Sequence, residues 1–252
     1  YHDGTNSYIT NAVGALKIAT ETSGIALTIG HTTSETTVAD NLTVTGDFNA
    51  GNFKSAGTNF TSSLLVGHST TGTLNAATYN VGVGAGALDA ITSGDNNTAV
   101  GADALSNLQD GIRNIGIGYY AGNAITSGQH NIAIGHAALA AATSGIRNLA
   151  VGYQAGNKTT GNYNTHIGYQ AGIETLGGAY NINLGWTAGN NITTGSGNVV
   201  IGVADVSSAT GDDQLSISDG EDGSVAWITG DSSGNVTMPA ELAAATLDIS
   251  GA

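Results

Sequence analysis

Two columns of aromatic and cationic residues recur at a regular spacing and are the best candidates in this chain for contact with a ligand. They flank a short segment, Asn-x-x-(Val/Ile/Leu)-Gly, that occurs eight times. Exposed aromatic rings stack on sugar rings, and Arg forms forked hydrogen bonds with carboxylates. Two interpretations are open: these side chains pack at repeat corners or between chains, or they contact a glycan or receptor. The candidates are Arg113, His130, Arg147, Tyr163, Tyr180, Tyr119, His136, Tyr153, Tyr169 and Trp186.

Other residues with catalytic or metal-binding potential lack the arrangement that their chemistry requires. Residues 230–234 match the Gly-x-Ser-x-Gly pattern of a nucleophile elbow, but a strand pattern and Pro239 follow where the elbow requires a helix. His130, His136 and His166 occupy three different repeat positions, so they do not form a stacked set of metal ligands. We therefore predict no catalytic residue, no metal site and no cofactor.

An internal repeat organises the middle of the chain. Successive copies are spaced by 17 residues, except for one spacing of 16. Most copies share the pattern Gly-x-x-Asn-x-x-(Val/Ile)-Gly-x-x-Ala-(Gly/Leu). The repeated Asn residues are Asn80, Asn97, Asn114, Asn131, Asn148, Asn164, Asn181 and Asn198.

Each copy predicts one short β-strand in one coil of a solenoid. The residues one and three positions after the Asn are mostly aliphatic, as in Ile115 and Ile117, and the residue between them is usually small. Alternation closed by Gly is typical of a half-buried strand. Eight coils stacked about 4.8 Å apart would form a body about 38 Å tall. A coil of this kind cannot bury its own apolar stripe, so the core must form by stacking.

The Asn and Gly columns have structural explanations. An Asn at a coil corner tolerates left-handed backbone angles, and stacked amides can hydrogen-bond along the axis. We therefore interpret the eight Asn residues as a structural ladder. The glycines indicate turns with positive φ or close approach of two backbones.

The segments on either side of the repeats lack the 17-residue pattern, and they resemble one another. Residues 42–46 match residues 247–251 in pattern. We assign residues 1–58 to an N-terminal shaft module, 59–79 to a transition, 80–206 to the solenoid and 207–252 to an acidic C-terminal shaft module. The chain opens at Tyr1 and its only Met is Met238. We therefore expect it to be a fragment of a longer polypeptide.

Composition excludes several classes of protein and partner. The 252 residues include 19 acidic and 5 basic side chains, for a net charge of −14, and no Cys. Without Cys there is no disulfide framework and no thiolate zinc site. Five cations cannot supply the basic stripe that binds a nucleic-acid backbone. No apolar run approaches the ~18 residues of a membrane span, so we expect no membrane insertion.

The composition also predicts an oligomer. Aromatic residues are only 6% of the chain, and many repeat positions are Ala, Gly or Thr. A single thin coil would bury little apolar surface, so we expect two further identical chains to supply the missing burial. The line of small residues Ala99, Gly116, Ala133 and Ala150 would let the three backbones of such a homotrimer approach closely.

The repeat resembles those of two families of fibrous proteins. Residues 97–101 and 131–139 resemble the Asn-x-Ala-Ile-Gly-x-x-Ala repeats of bacteriophage tail fibres, and they are similar to the head repeats of trimeric autotransporter adhesins. The adhesin resemblance implies a left-handed parallel β-roll in an intertwined trimer, although the period of 17 residues is longer than in that family. The shaft modules favour the phage fibre, which implies a virion-surface or extracellular location and other fibre or baseplate proteins as partners.

These observations predict an all-β, trimeric parallel β-solenoid of eight repeats flanked by short-stranded shaft modules. The expected function is a structural segment of a virion fibre that acts as a spacer and contributes to attachment, and not an enzyme. A bacterial trimeric surface adhesin is the alternative. A glycan depolymerase is a third possibility, but it needs paired carboxylates in a groove, and the six acidic residues of the solenoid are scattered over repeat positions.

Overall fold

The computed structural model describes residues 55–57, 60–66 and 77–238. This part of the chain contains only β-strands and turns, and its strands form a parallel β-solenoid. Eight strands of three residues lie one above the other, and each pairs in parallel with the strand of the next coil. These strands are β4 Val81–Val83, β5 Thr98–Val100, β6 Ile115–Ile117, β7 Ile132–Ile134, β8 Leu149–Val151, β9 Thr165–Ile167, β10 Ile182–Leu184 and β11 Val199–Ile201.

Further strands extend the sheet at both ends. Before the repeats, β1 (Ser55–Gly57) is antiparallel to β2 (Phe60–Val66), which pairs in parallel with both β3 (Ala77–Thr78) and β4. After the repeats, β12 (Leu215–Ser218) continues the parallel stack past residue 206. The chain then turns into antiparallel pairing, with β13 (Ala226–Gly230) on β12 and β14 (Val236–Thr237) on β13. Apart from residues 55–57, the predicted N-terminal shaft module lies outside the described residues, and so do residues 239–252 of the C-terminal module.

The coil of 16 residues keeps its strand in register. Leu149 of β8 pairs with Thr165 of β9, 16 positions later, whereas Ile132 pairs with Leu149 across the usual 17. The missing residue falls in the turn before Gly161, because the Asn148 amide reaches the Gly161 carbonyl 13 positions on, and the other Asn amides of β4 to β10 reach a Gly 14 positions on. Turns tolerate deletions better than paired strands, so the ladder continues without a break.

The strands direct their small residues inward and their aliphatic residues outward. Ala99, Ala133 and Ala150 are fully buried within the single chain, while flanking residues such as Val100 and Ile117 are 38% and 39% exposed. Ala99, Gly116, Ala133 and Ala150 therefore line the interior of the coil. The prediction that this line forms the contact between chains is wrong, because those side chains have no exposed surface left to bury.

The core is filled from the opposite wall of the coil. Leu88, Leu105 and Leu139, eight positions after an Asn, and Ile91, Leu108 and Ile125, eleven positions after an Asn, are all fully buried. These large side chains occupy the centre, so only a small residue fits at the middle of the facing strand. A Cβ on Gly116, for example, would lie 2.8 Å from Leu105 Cγ.

In the later coils the large residue comes from the strand and the small residue from the facing wall. Gly156, Gly172 and Gly189 replace Leu, while the inward strand residues become His166, Asn183 and Val200, all fully buried. A Cβ on Gly156 would lie 2.6 Å from the His166 ring. The change from Leu to Gly along the chain thus makes room for a larger side chain from the strand.

The Asn side chains form a continuous hydrogen-bonded ladder inside the coil. In a typical step, Asn131 Oδ1 accepts hydrogen bonds from the backbone N–H (3.0 Å) and the Nδ2 amide (3.2 Å) of Asn148. The Asn131 amide also donates to the Gly145 carbonyl at 2.7 Å. All eight Asn residues are buried, and Gln214 takes the ninth place by donating to Asn198 and Gly211.

The left-handed corner residue is the one before each Asn, which corrects the expectation that the Asn itself adopts this conformation. Tyr79, Arg113 and Tyr180 have φ values of 57°, 57° and 59°, and the other residues of this column are also positive. The Gly that closes each strand serves a different need. Gly101 has φ of 130°, and a Cβ there would lie 2.6 Å from the Gly118 carbonyl oxygen of the next coil.

Candidate functional site

The candidate residues lie at the two ends of the strands, one set just before each strand and the other just after it. We call Arg113, His130, Arg147, Tyr163 and Tyr180 the corner column, because they precede the strands in left-handed backbone conformation. We call Tyr119, His136, Tyr153, Tyr169 and Trp186 the ring ladder, because they follow the strands and stack on one another. Both sets occupy the same five consecutive coils, from β6 to β10.

The ring ladder is a single file of aromatic side chains along the axis. The His136 and Tyr153 rings stack with centroids 5.0 Å apart, and Tyr153 stacks on Tyr169 at 5.1 Å. Tyr119 and Trp186 continue the file at its two ends, with centroid distances of 5.4 and 6.4 Å to their neighbours. The spacing follows from the coil rise, because one ring per coil places successive rings about 4.8 Å apart.

Stacking determines what the ring ladder can offer to a ligand. The inner rings use both faces on their neighbours, so they present edges, phenol hydroxyls and an imidazole to solvent. At one end of the file Tyr119 also contacts Tyr120 edge-on, with centroids 4.1 Å apart, and Trp186 is the last ring at the other end. A sugar would therefore contact the inner part of the ladder through hydrogen bonds to hydroxyls and not by stacking on ring faces. The pKa of Tyr119 is raised, chiefly because its hydroxyl shares a hydrogen bond with Tyr120.

The corner column brings cations and aromatic rings together. Arg147 Nη1 donates to the Tyr163 hydroxyl at 2.8 Å, and its guanidinium carbon lies 5.4 Å from the Tyr163 ring centroid. Tyr163 in turn stacks on Tyr180 with centroids 4.8 Å apart. The Arg113 and Arg147 side chains are exposed, and neither forms an ion pair within the part of the chain that the structure describes. Their guanidinium groups are therefore open to an external anion.

Backbone conformation makes the corner column unusual. Left-handed angles favour Gly and Asn, and two coils have those residues at this position, Asn96 and Gly197. The other coils place Tyr, Arg or His there, at a cost of about 1 kcal/mol each. The turn itself therefore does not explain why Tyr, Arg or His occupies this position, so these side chains serve binding or packing.

His166 is a polar residue of the core. From the sequence alone it is only one of three histidines that occupy different repeat positions. It is fully buried, with Nε2 3.2 Å from Thr159 Oγ1 and Nδ1 3.0 Å from the Asn183 amide nitrogen. Burial without a charged partner lowers the pKa of His166 to about 4. The signal that could have revealed it is the joint change of two columns, in which Leu139 gives way to Gly156 just before Ala150 gives way to His166.

The remaining motifs form turns. Residues 230–234 lie at the connection of β13 and β14, where the Asp231 carboxylate accepts hydrogen bonds from the backbone N–H groups of Ser233 and Asn235. Near β12, Asp219 accepts four backbone N–H groups, and those of Gly223 and Val225 are the main reason that its pKa is lowered. Among the described residues, no group of three or more His, Asp or Glu side chains could hold a metal ion.

Within the described ranges, no helix is long and apolar enough to span a membrane. Comparison with known protein families, with curated proteins and with solved structures finds no match to this chain.

Proposed function

We propose that this chain is a structural segment of a homotrimeric virion fibre, which acts as a stiff spacer and contributes to attachment at the host surface. Its partners would be two identical chains, other fibre or baseplate proteins, and a host-surface glycan. The main support is the outer face of the parallel sheet. Because the predicted small-residue line is interior, this outer face is the surface left for contact between chains.

The outer face carries two columns of mostly aliphatic side chains, which we call the apolar strip. Its residues lie one and three positions after each Asn, and they include Ile117, Ile182 and Leu184, which are 39%, 45% and 43% exposed. Parallel sheets normally have both faces covered. Here one face packs on its own coil, and the other is uncovered along eight strands. A second copy presents the same strip with the same axial repeat, so identical chains can cover one another.

The mass of the purified chain in solution tests this proposal. Light scattering should give three times the chain mass of 24.9 kDa. Ile117→Lys places a charge on the apolar strip, and we expect it to reduce the mass to that of one chain, since burying an unpaired ammonium costs several kcal/mol. Ser144→Lys adds the same charge at an exposed turn position and should leave the trimer intact.

The result that contradicts the proposal is a wild-type chain that stays at 24.9 kDa with native circular dichroism. Such a protein would be a single-chain solenoid with an exposed apolar face. Dissociation of both Lys variants would also contradict it, because the apolar strip would then have no special role.

A bacterial trimeric surface adhesin is the second candidate. The observation that favours it is the Asn-x-Ala-Ile-Gly-x-x-Ala pattern of residues 131–138, which is similar to the head repeats of trimeric autotransporter adhesins. The candidates differ in the rest of the polypeptide. A membrane-anchor barrel encoded downstream would favour the adhesin, and a baseplate- or capsid-docking domain upstream would favour the fibre.

A further inference from the structure

We propose that the corner column binds an acidic polysaccharide that lies along the solenoid axis and carries an anionic group on alternate sugars. The inference rests on the proposed attachment function, and it names the chemical class of the ligand and its direction on the surface.

The central coils of the solenoid differ from its ends in charge. The chain has 19 acidic residues, yet residues 111–204 contain only one of them, Glu174, together with three of the five cations. Lys158 pairs with Glu174 at 2.7 Å, so the two arginines are the unbalanced charges of this stretch. These are the coils that carry the corner column. Acidic residues resume on both sides of it, at Asp110 and Asp205.

The two arginines share one column and one orientation of the backbone. Arg113 and Arg147 have φ of 57° and 55°, and His130 lies between them with φ of 58°. Both guanidinium groups are exposed, without an ion pair in the described residues. Arg147 uses Nη1 on the Tyr163 hydroxyl, which fixes the guanidinium and leaves its other N–H donors for a carboxylate or sulfate.

The axial spacing of the two arginines suits a polysaccharide with regularly spaced anionic groups. Arg113 and Arg147 are two coils apart, which is about 10 Å at the usual distance between paired strands. That distance matches the length of a disaccharide unit in an extended polysaccharide. A chain with one anionic group per disaccharide would place successive anions on Arg113 and Arg147, with the intervening sugar beside His130. The acidic ends of the solenoid repel such a ligand and confine it to the central coils.

The test measures binding of hyaluronan oligosaccharides, which carry one carboxylate per disaccharide, by isothermal titration calorimetry of the full chain. A tetrasaccharide can reach both arginines, so it should bind at least about tenfold more tightly than the disaccharide, as expected for a second charge-assisted contact. Further lengthening should add little once the ligand fills the central coils. Maltohexaose, a neutral oligosaccharide, should bind at least about tenfold more weakly than the tetrasaccharide.

Matched variants assign the contacts. Arg113→Gln and Arg147→Gln should each lower the affinity for the tetrasaccharide about tenfold. Lys158→Gln removes the same charge from an exposed position outside the corner column, and its affinity should stay within about twofold of the wild-type value. Equal losses in all three variants, equal binding of the neutral sugar, or no binding of any hyaluronan length would overturn the proposal.

Light scattering on the same samples separates this inference from the fibre proposal. If the chain is a trimer but binds no acidic oligosaccharide, the spacer role stands and the ligand proposal is overturned. If it is a single chain that binds the tetrasaccharide through both arginines, the ligand site stands and the trimer proposal is overturned.

Discussion

At the scale of single residues, the most informative side chain is the buried His166. Its two ring nitrogens contact Thr159 and Asn183, and no charged group is among these partners. A protonated imidazole in this position would lack both solvent and a counter-ion. The folded state therefore holds His166 neutral, and its pKa falls to about 4, whereas an exposed His titrates near 6.5.

This shift predicts a loss of stability in weak acid. Between pH 6.5 and 4 the unfolded chain binds a proton at His166 and the folded chain does not, so the free energy of unfolding decreases as pH falls. The loss from this residue alone is on the order of 3 kcal/mol and levels off below pH 4. Urea unfolding of the wild type at pH 7 and pH 4.5 measures it.

The matched variant is His166→Asn, which copies the residue that occupies the equivalent place in the next coil, Asn183. It should be less stable at pH 7 because it removes buried volume, but its stability should depend less on pH. A variant that loses as much stability between pH 7 and 4.5 as the wild type would show that carboxylates elsewhere cause the acid sensitivity.

At the scale of structural elements, the Asn ladder joins each coil to the next. Each rung from Asn97 to Asn198 contributes an acceptor to the following coil and donates to two oxygens, as Asn131 does through Asn148, Gly145 and Asn114. Because these groups are buried, an unmade hydrogen bond costs more than a made one contributes. The ladder thus specifies register as well as stability.

Removing a single rung should be strongly destabilising. Asn131→Ala leaves the buried Asn148 backbone N–H and the Gly145 carbonyl without their partner, and we expect a loss of about 2 to 4 kcal/mol. Asn107→Ala removes an exposed amide that donates to the Asn123 carbonyl at 2.8 Å, and it should cost about 1 kcal/mol or less. Shifts in urea midpoint measure both losses, and similar losses would argue against a special role for the ladder.

At the scale of the whole molecule, the core has two apolar segments. One extends from Ala77 to Ala155, and a smaller one contains Ala188, Ile192, Val200 and Val206. Between them the centre of the coil is polar. Thr159 and Thr175 occupy the column that holds Ile or Leu in earlier coils, and His166 and Asn183 occupy the inward strand column that holds Ala or Gly. Among the residues that the structure describes, the Thr175 hydroxyl and the Asn183 carbonyl oxygen have no hydrogen-bond partner. In a solenoid each coil contacts only its neighbours, so a weaker segment can open locally.

Hydrogen exchange should detect this polar segment. Backbone amides of β9 and β10 should exchange faster than those of β5 to β7, and also faster than those of β11, where Val200 restores an apolar core. Simple fraying would instead give a steady decrease in protection toward the end of the stack. Mass spectrometry of peptides from each coil distinguishes these profiles, and protection that falls continuously through β11 would contradict the prediction.

The sequence by itself determined the repeat, the strand in each copy and the positions of the Asn and Gly columns. These features depend on contacts that every coil makes with the next, so they recur with the period and are visible in one chain. The structure confirms an all-β parallel solenoid of about eight coils. The sequence also identified the residues of the corner column and the ring ladder, since equivalent positions in successive coils must lie one above another.

Only the tertiary structure decided which side of each strand faces inward. Hydropathy alone would bury Ile115 and Ile117 and expose Gly116, yet Gly116 is interior and Ile117 is 39% exposed. The reason is steric: Leu105 and Leu108, from the far wall of the coil, already fill the space that a large strand residue would need. The same competition for volume admits His166 once Gly156 replaces Leu, and it moves the surface available to other chains from the small residues to the apolar strip.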